Sequence, residues 1–206
     1  MHIHEPPMNL TPELLIRAYA QGVFPMAEAD GRIYWYAPDP RAIIPLESFH
    51  IPRRLGRTVR QGRFTLSSDH AFRQVVTACA APRPDHDTTW IGAGFADAYT
   101  ALHERGFAHS VETWHNGELV GGLYGVALGG LFAGESMFSL MRDASKVALV
   151  YLVDLLRRGG YVLLDTQFIV GDHMLQFGTI EISRAEYQRR LAQALRVTTH
   201  WPTTQE

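Results

Sequence analysis

The sequence predicts an α+β fold in which a mixed, mostly antiparallel sheet is flanked by helices. Residues 109–114 alternate with the two-residue period of a strand, turn at Asn116-Gly117 and run back over residues 119–126. Asn-Gly is the favoured pair for a tight hairpin because both residues tolerate positive φ. A third apolar run, Leu131 to Phe138, follows the Gly129-Gly130 break, so three adjacent antiparallel strands are expected. Segments with the 3.6-residue period stand on both sides of this meander.

The helices carry their own punctuation. Thr11-Pro12-Glu13 supplies an N-cap, a proline at the first helical position and an acid in the first turn, and Gly22 stops the helix. A second helix is expected from a Ser68-Asp69 cap to about Ala80, with Phe72, Val75, Val76 and Cys79 on one stripe. A third runs from about Gly94 to Arg105, with Phe95, Ala98, Tyr99 and Leu102 inward and Gly106 as its stop. After the meander, Asp143 is read as the cap of a long apolar helix that ends at Arg157-Arg158-Gly159-Gly160, where cations and glycine suit a C-terminus. A buried strand over 161–168 and a last helix from the Ser183 cap to about Leu195 complete the order.

Composition narrows the class. The chain has 206 residues, 46% hydrophobic and 19% charged, enough for one sizeable core and too apolar for disorder. It contains no run of about 18 apolar residues, and its first residues lack the basic and apolar regions of a signal peptide, so a cytoplasmic protein with no membrane association is expected. Cys79 is alone, which forbids an internal disulfide and a thiolate zinc site. The histidines show no His-Glu-x-x-His pair, and His2-x-His4 sits on a chain end, so no metal is predicted. Net charge is −2, yet Arg53, Arg54, Arg57, Arg60 and Arg63 fall in a stretch with no acid. That patch reads equally as a solvated face or a phosphate site.

Two acids interrupt apolar strands. Asp165 and Gln167, two apart, share a face of their strand, and Glu135 lies inside Phe132 to Phe138 beside Gly134. An acid in such a setting costs several kcal/mol unless it is paired or at work. Asp165 reads as a structural group bonded to a loop or as a functional one, and Glu135 as functional or as solvent-facing. Gly134 would let a planar ligand approach the backbone. Tyr34, Trp35, Tyr36 and Trp90 flank loops, where a base could stack, although core packing is the commoner use of an aromatic.

The order of helices, meander, helix, strand and helix resembles the GCN5-related acyltransferase (GNAT) fold. CoA-using members of that class place a glycine-rich turn before the central helix to hold the pyrophosphate. Here the joint reads Leu140-Met141-Arg142-Asp143-Ala144-Ser145-Lys146, without glycine, so CoA is not expected. Eight ordered blocks are more specific: Gly22-Val23-Phe24-Pro25-Met26, Trp35 to Arg41, Thr89-Trp90-Ile91, His109-Ser110-Val111-Glu112, Gly121 to Val126, Phe132 to Ser139, Ala144-Ser145-Lys146 and Leu164 to Gln167. Together, over roughly Leu10 to Leu195, they resemble the leucyl/phenylalanyl-tRNA–protein transferase family.

That resemblance implies a small N-terminal domain (1–50) followed by a GNAT-like aminoacyltransferase domain (51–206). It implies transfer of Leu or Phe, and less readily Met, from aminoacyl-tRNA to the α-amino group of proteins beginning with Arg or Lys, which marks them for N-degron-dependent degradation, with no cofactor. Leu123, Phe132, Leu149, Leu152 and Leu164 would form the donor side-chain pocket. Tyr36, at a position often Trp in the family, would hold the terminal adenosine with Trp90. Asp165 would polarise Gln167, which meets the attacking amine, as base or as orienter, and Glu135 would hold the aminoacyl-adenosine or the acceptor. Arg53 to Arg63 is then the expected tRNA contact, by phosphates rather than bases. The loop Phe168 to His173 looks one residue longer than usual in the family and lacks a polar residue found in some members. A CoA-dependent N-acetyltransferase and a noncatalytic tRNA-binding module are the competing readings.

Overall fold

Residues 10–28, 31–81, 94–169 and 171–202 are described by a computed structural model. The first helix, α1 (Pro12–Ala20), begins as its cap requires: Thr11 Oγ1 accepts the Leu14 N–H at 3.3 Å, and Leu15 and Tyr19 are buried. It leads into a two-stranded antiparallel ribbon, β1 (Phe24–Ala27) and β2 (Ile33–Tyr36), which pairs Phe24 with Tyr36. The chain continues through β3 (Arg41–Ile44), α2 (Arg53–Arg60), β4 (Thr65–Ser68), α3 (Phe72–Ala80) and α4 (Phe95–Glu104). The meander is β5 (Ala108–His115), β6 (Glu118–Leu128) and β7 (Leu131–Ser139), and then come α5 (Ala144–Gly159), β8 (Leu163–Gln167), β9 (Ile180–Ile182) and α6 (Arg184–Ala194).

Seven strands form the main sheet in the order β4-β5-β6-β7-β8-β3-β9. Only β7 and β8 run parallel; the other pairs are antiparallel, as a mixed, mostly antiparallel sheet requires. The Asn116 and Gly117 φ values of 53° and 81° are those of the tight turn expected from the sequence. One face of the sheet is covered by α1, α3, α4 and α6 around Tyr19, Phe72, Tyr99 and Tyr187. The other is covered by α5, with α2 beside it, around Leu123, Phe132, Leu152 and Leu164. Helix α5 comes very close to β6, since a Cβ at Gly121 would stand 2.5 Å from Ala144 Cβ. That approach is the packing reason for a Gly-Gly pair in a buried strand.

The short outer strands escape the sequence reading because four residues show little periodicity. β3 matters most: on the N-terminal side of the boundary expected at residue 50, it lies inside the main sheet, antiparallel to both β8 and β9. Two expected caps also differ. Helix α3 starts at Phe72 behind Ala71, while Asp69 adopts φ 60° and turns to Ser110 N–H (2.9 Å) and His109 (2.7 Å). Asp143 does precede α5, but at φ 68° its carboxylate faces Lys146 and Arg142, and Ser139 Oγ instead accepts the Ser145 N–H at 3.2 Å. Both acids trade a weak capping bond for charged or buried partners. Ser183 caps α6 as expected, accepting from Glu186 N–H at 3.2 Å.

Candidate active site

Strands β7 and β8 pair only over Leu131–Leu163, Phe132–Leu164 and Ala133–Asp165, and then part. Glu135 and Gln167 lie beyond the last pair, one on each strand. Glu135 is the extra residue of a bulge, because Gly125 faces Gly134 whereas Tyr124 already faces Ser136. Gln167 ends β8 with φ 67°, a left-handed conformation uncommon for a residue with a Cβ. The two side chains meet across the gap: Gln167 Nε2 donates to Glu135 Oε1 at 2.9 Å, and both residues are buried. Gly134 borders this gap, and a Cβ there would find only Asp165 O, at 3.6 Å.

Behind Glu135 runs a chain of hydroxyls. The Tyr99 hydroxyl donates to Glu135 Oε2 at 3.0 Å and in turn lies 2.6 Å from the Tyr19 hydroxyl. Burial, with the Glu135 charge adding to it, pushes both phenols well above their usual pKa, so they remain donors. Burial also raises Glu135, to about 7, against the lowering effect of Tyr19 and Tyr99.

Asp165 occupies a different environment. Its Oδ1 accepts from Arg41 Nε (2.9 Å) and from the Gln167 main-chain N–H (2.8 Å), and its Oδ2 accepts from Arg41 Nη2 (2.6 Å) and the Tyr187 hydroxyl (2.7 Å). Four charge-assisted bonds occupy nearly all its acceptor capacity. Burial opposes the charge on Arg41, yet the Asp165 carboxylate more than offsets this, so the guanidinium is held above its ordinary pKa. Asp165, expected to polarise Gln167, reaches it through the main-chain N–H. Asp165 holds the Gln167 backbone, and Glu135 holds the carboxamide.

The five residues expected to line the donor pocket come together. Leu123, Phe132, Leu149, Leu152 and Leu164 are all buried in the cluster beneath α5, together with Met174 and Phe177 from the turn before β9. Alternation along β8 sends Leu164 to that face and Asp165 to the opposite one. Of the two residues expected at the adenosine, Tyr36 stacks on Phe24 with ring centres 6.1 Å apart and donates its hydroxyl to Glu28, while Trp90 lies outside the described residues. In the variant loop, Phe168 packs against Phe24, and the side chains of Asp172 and His173 lie outside the described set.

Arg53, Arg54, Arg57, Arg60 and Arg63 are all exposed, four of them on α2, whose Leu55 is buried toward α5. Among the described residues none of the five enters an ion pair. A groove of about 630 Å³ runs beside them, lined by Ile51, Arg53, Gly56, Arg57, Val59 and Arg60. Asp69, His103 and His109 also gather, with His109 Nδ1 on Asp69 (2.7 Å) and His103 Nδ1 on the Ala108 carbonyl (2.8 Å). These bonds give each ring a structural partner.

The sequence reading left Arg41, Tyr19, Tyr99 and Tyr187 out of the site. An arginine leading Ala42-Ile43-Ile44 is a charge at the head of an apolar strand, the same signal that singled out Asp165. The tyrosines lie on core stripes, where a buried hydroxyl needs a partner.

The sequence model of the leucyl/phenylalanyl-tRNA protein transferase family matches residues 43–192, and that of its N-terminal domain matches residues 8–39. The two meet where the chain enters the main sheet at β3. A leucyl/phenylalanyl-tRNA–protein transferase of Herpetosiphon aurantiacus is 58% identical over 188 residues, covering 91% of this chain and 95% of that protein. One of Nitrobacter winogradskyi is 56% identical, covering 91% and 84%. Among solved structures, L-PGS from Bacillus licheniformis aligns with a TM-score of 0.43 at 15% identity, over 66% of this chain and 49% of that one. No helix among the described residues is long and apolar enough to cross a membrane. The chain belongs to the leucyl/phenylalanyl-tRNA protein transferase family and is an aminoacyltransferase.

Proposed function

We propose that the chain transfers Leu or Phe, and less readily Met, from aminoacyl-tRNA to the α-amino group of proteins that begin with Arg or Lys. The product carries a destabilising N-terminus for N-degron-dependent degradation, and the reaction runs in the cytoplasm without CoA or a metal. The observation that carries this reading is the Gln167–Glu135 bond in the gap between β7 and β8. With its amino group on Glu135, the Gln167 carboxamide oxygen is the atom that would accept an N–H from an incoming amine.

The substrate ester is already activated, so the enzyme needs chiefly to position the reactants. The acceptor nitrogen attacks the ester carbonyl carbon, the new C–N bond forms, the C–O bond to the terminal ribose breaks, and the amine proton leaves with the ribose oxygen. No covalent enzyme intermediate is needed. Gln167 orients the amine, Glu135 fixes Gln167 and faces the cationic end of either substrate, and Asp165 positions the Gln167 backbone.

The leucine-rich cluster beneath α5 supports a donor pocket that accepts Leu, Phe and Met and rejects charged side chains by desolvation. Tyr36, with Trp90, is assigned to the terminal adenosine, and the exposed arginines of α2 and Arg63 to phosphates of the tRNA. The parting of the parallel pair favours the GNAT-like assignment of the domain that follows residue 50. The test is transfer of labelled Phe from charged tRNA to an Arg-initiated peptide, with an Ala-initiated control and neither CoA nor ATP. Product on the Arg peptide alone is expected. Binding of the tRNA without product would favour a noncatalytic binding module, and acetyl transfer from acetyl-CoA would favour an acetyltransferase.

A further inference from the structure

Resting on that functional reading, we propose that Arg41 is a positioning residue for aminoacyl transfer: it clamps Asp165 so that the carboxylate locks the Gln167 backbone in its left-handed turn and aims the carboxamide at Glu135. The clamp is built on every side. The guanidinium meets both Asp165 oxygens, at 2.9 Å from Nε and 2.6 Å from Nη2, with the two side chains 2% and 0% exposed. Its faces are covered by Phe24 (4.8 Å from the ring centre) and Tyr187 (4.4 Å), and Nη1 donates to Gly22 O at 3.1 Å.

The consequence passes through one atom. Asp165 Oδ1 takes both the Arg41 Nε–H and the Gln167 N–H, so the position of the guanidinium sets the position of the oxygen that holds Gln167 at φ 67°. A non-glycine residue stays in that region only when its surroundings over-determine it. Without the clamp, Gln167 is free to relax toward an extended conformation, which carries its amide away from Glu135. Lysine is no substitute, because a point charge lacks the two-pronged fork that meets a carboxylate with both oxygens.

Arg41 also ties the two ends of the site together. Phe24, which covers one face of the guanidinium, stacks on Tyr36 at the proposed adenosine position and packs on Phe168 just after Gln167. A single buried cation thus fixes the spacing between the ribbon of β1 and β2 and the end of β8. Displacement of about 1 Å at a reacting group can cost on the order of 100-fold in rate.

The experiment compares wild type, R41Q, R41K, D165N and R41Q/D165N in single-turnover transfer of Phe from charged tRNA to an Arg-initiated peptide. Affinity for the charged tRNA is measured alongside, so that rates refer to folded, tRNA-binding enzyme. R41Q is expected to lose about 100-fold in the single-turnover rate with tRNA affinity within about threefold, and R41K to recover little of it. The double variant is expected to be no slower than the slower single variant, as for residues acting as one unit. A residue that merely stabilises the fold would lower the folded fraction while leaving the rate per tRNA-binding enzyme unchanged. R41Q or R41K turning over at the wild-type rate, or multiplicative losses in the double variant, would overturn the inference while leaving the transferase reading intact. A wild type that binds charged tRNA and transfers nothing would overturn that reading, and the inference with it.

Discussion

Two carboxylates a strand apart receive opposite treatment from their neighbours. Asp165 is ion-paired to Arg41 and accepts four hydrogen bonds, whereas Glu135, which meets Tyr99, Gln167 and Tyr19 but no cation at hydrogen-bond distance among the described residues, is raised by burial to about 7. A carboxyl whose folded pKa stands above its ordinary 4.5 stabilises the fold fully below about pH 4.5 and loses that contribution as pH rises through about 7. The shift corresponds to something on the order of 3 kcal/mol. Glu135→Gln, which keeps the shape and removes the charge, is therefore expected to melt higher than wild type at pH 8 and close to it at pH 4.5, while transfer falls. Thermal melts across pH 4.5 to 8 check this; parallel curves for the two proteins would show that the Glu135 charge costs the fold nothing. The sequence made both acids visible because each interrupts an apolar run. It could not show which donors reach them, since Arg41 is 124 residues from Asp165 and Tyr99 is 36 from Glu135.

At the scale of elements, the long ones were legible and the short ones were not. The meander, α1, α4, α5 and α6 announce themselves by period and punctuation, while β3, β4 and β9 have three or four residues each and owe their pairing to the strands beside them. This is why the boundary expected at residue 50 falls after a strand that already belongs to the main sheet. Helix α2 was visible only as a row of arginines. Folded, it buries Leu55 and turns its arginines to solvent, and the tRNA contact proposed for it rests on charge rather than shape. Reversing Arg54 and Arg57 to Glu is expected to weaken charged-tRNA binding by tenfold or more and to flatten its salt dependence, with the melting temperature within a few degrees of wild type. A filter-binding series from 50 to 200 mM salt measures both; an unchanged slope would remove α2 from the tRNA interface.

In the molecule as a whole, the sheet separates two kinds of work. The face beneath α5 is apolar and holds the residues assigned to the donor side chain, and the opposite face carries the polar chain of Arg41, Asp165 and Tyr187 and the hydroxyls that support Glu135. Beyond the last β7–β8 pair, Gln167 bridges the two strands through Glu135. In the proposed reaction the ester and the amine meet at this parting of the strands. The most direct measurement is the single-turnover rate of Gln167→Ala on Phe-tRNA and an Arg-initiated peptide, with affinity for the charged tRNA determined in parallel. A loss of about 100-fold in rate with tRNA affinity within about threefold is the expected result. A wild-type rate from the folded variant would contradict the assignment of this bridge to the chemistry of transfer.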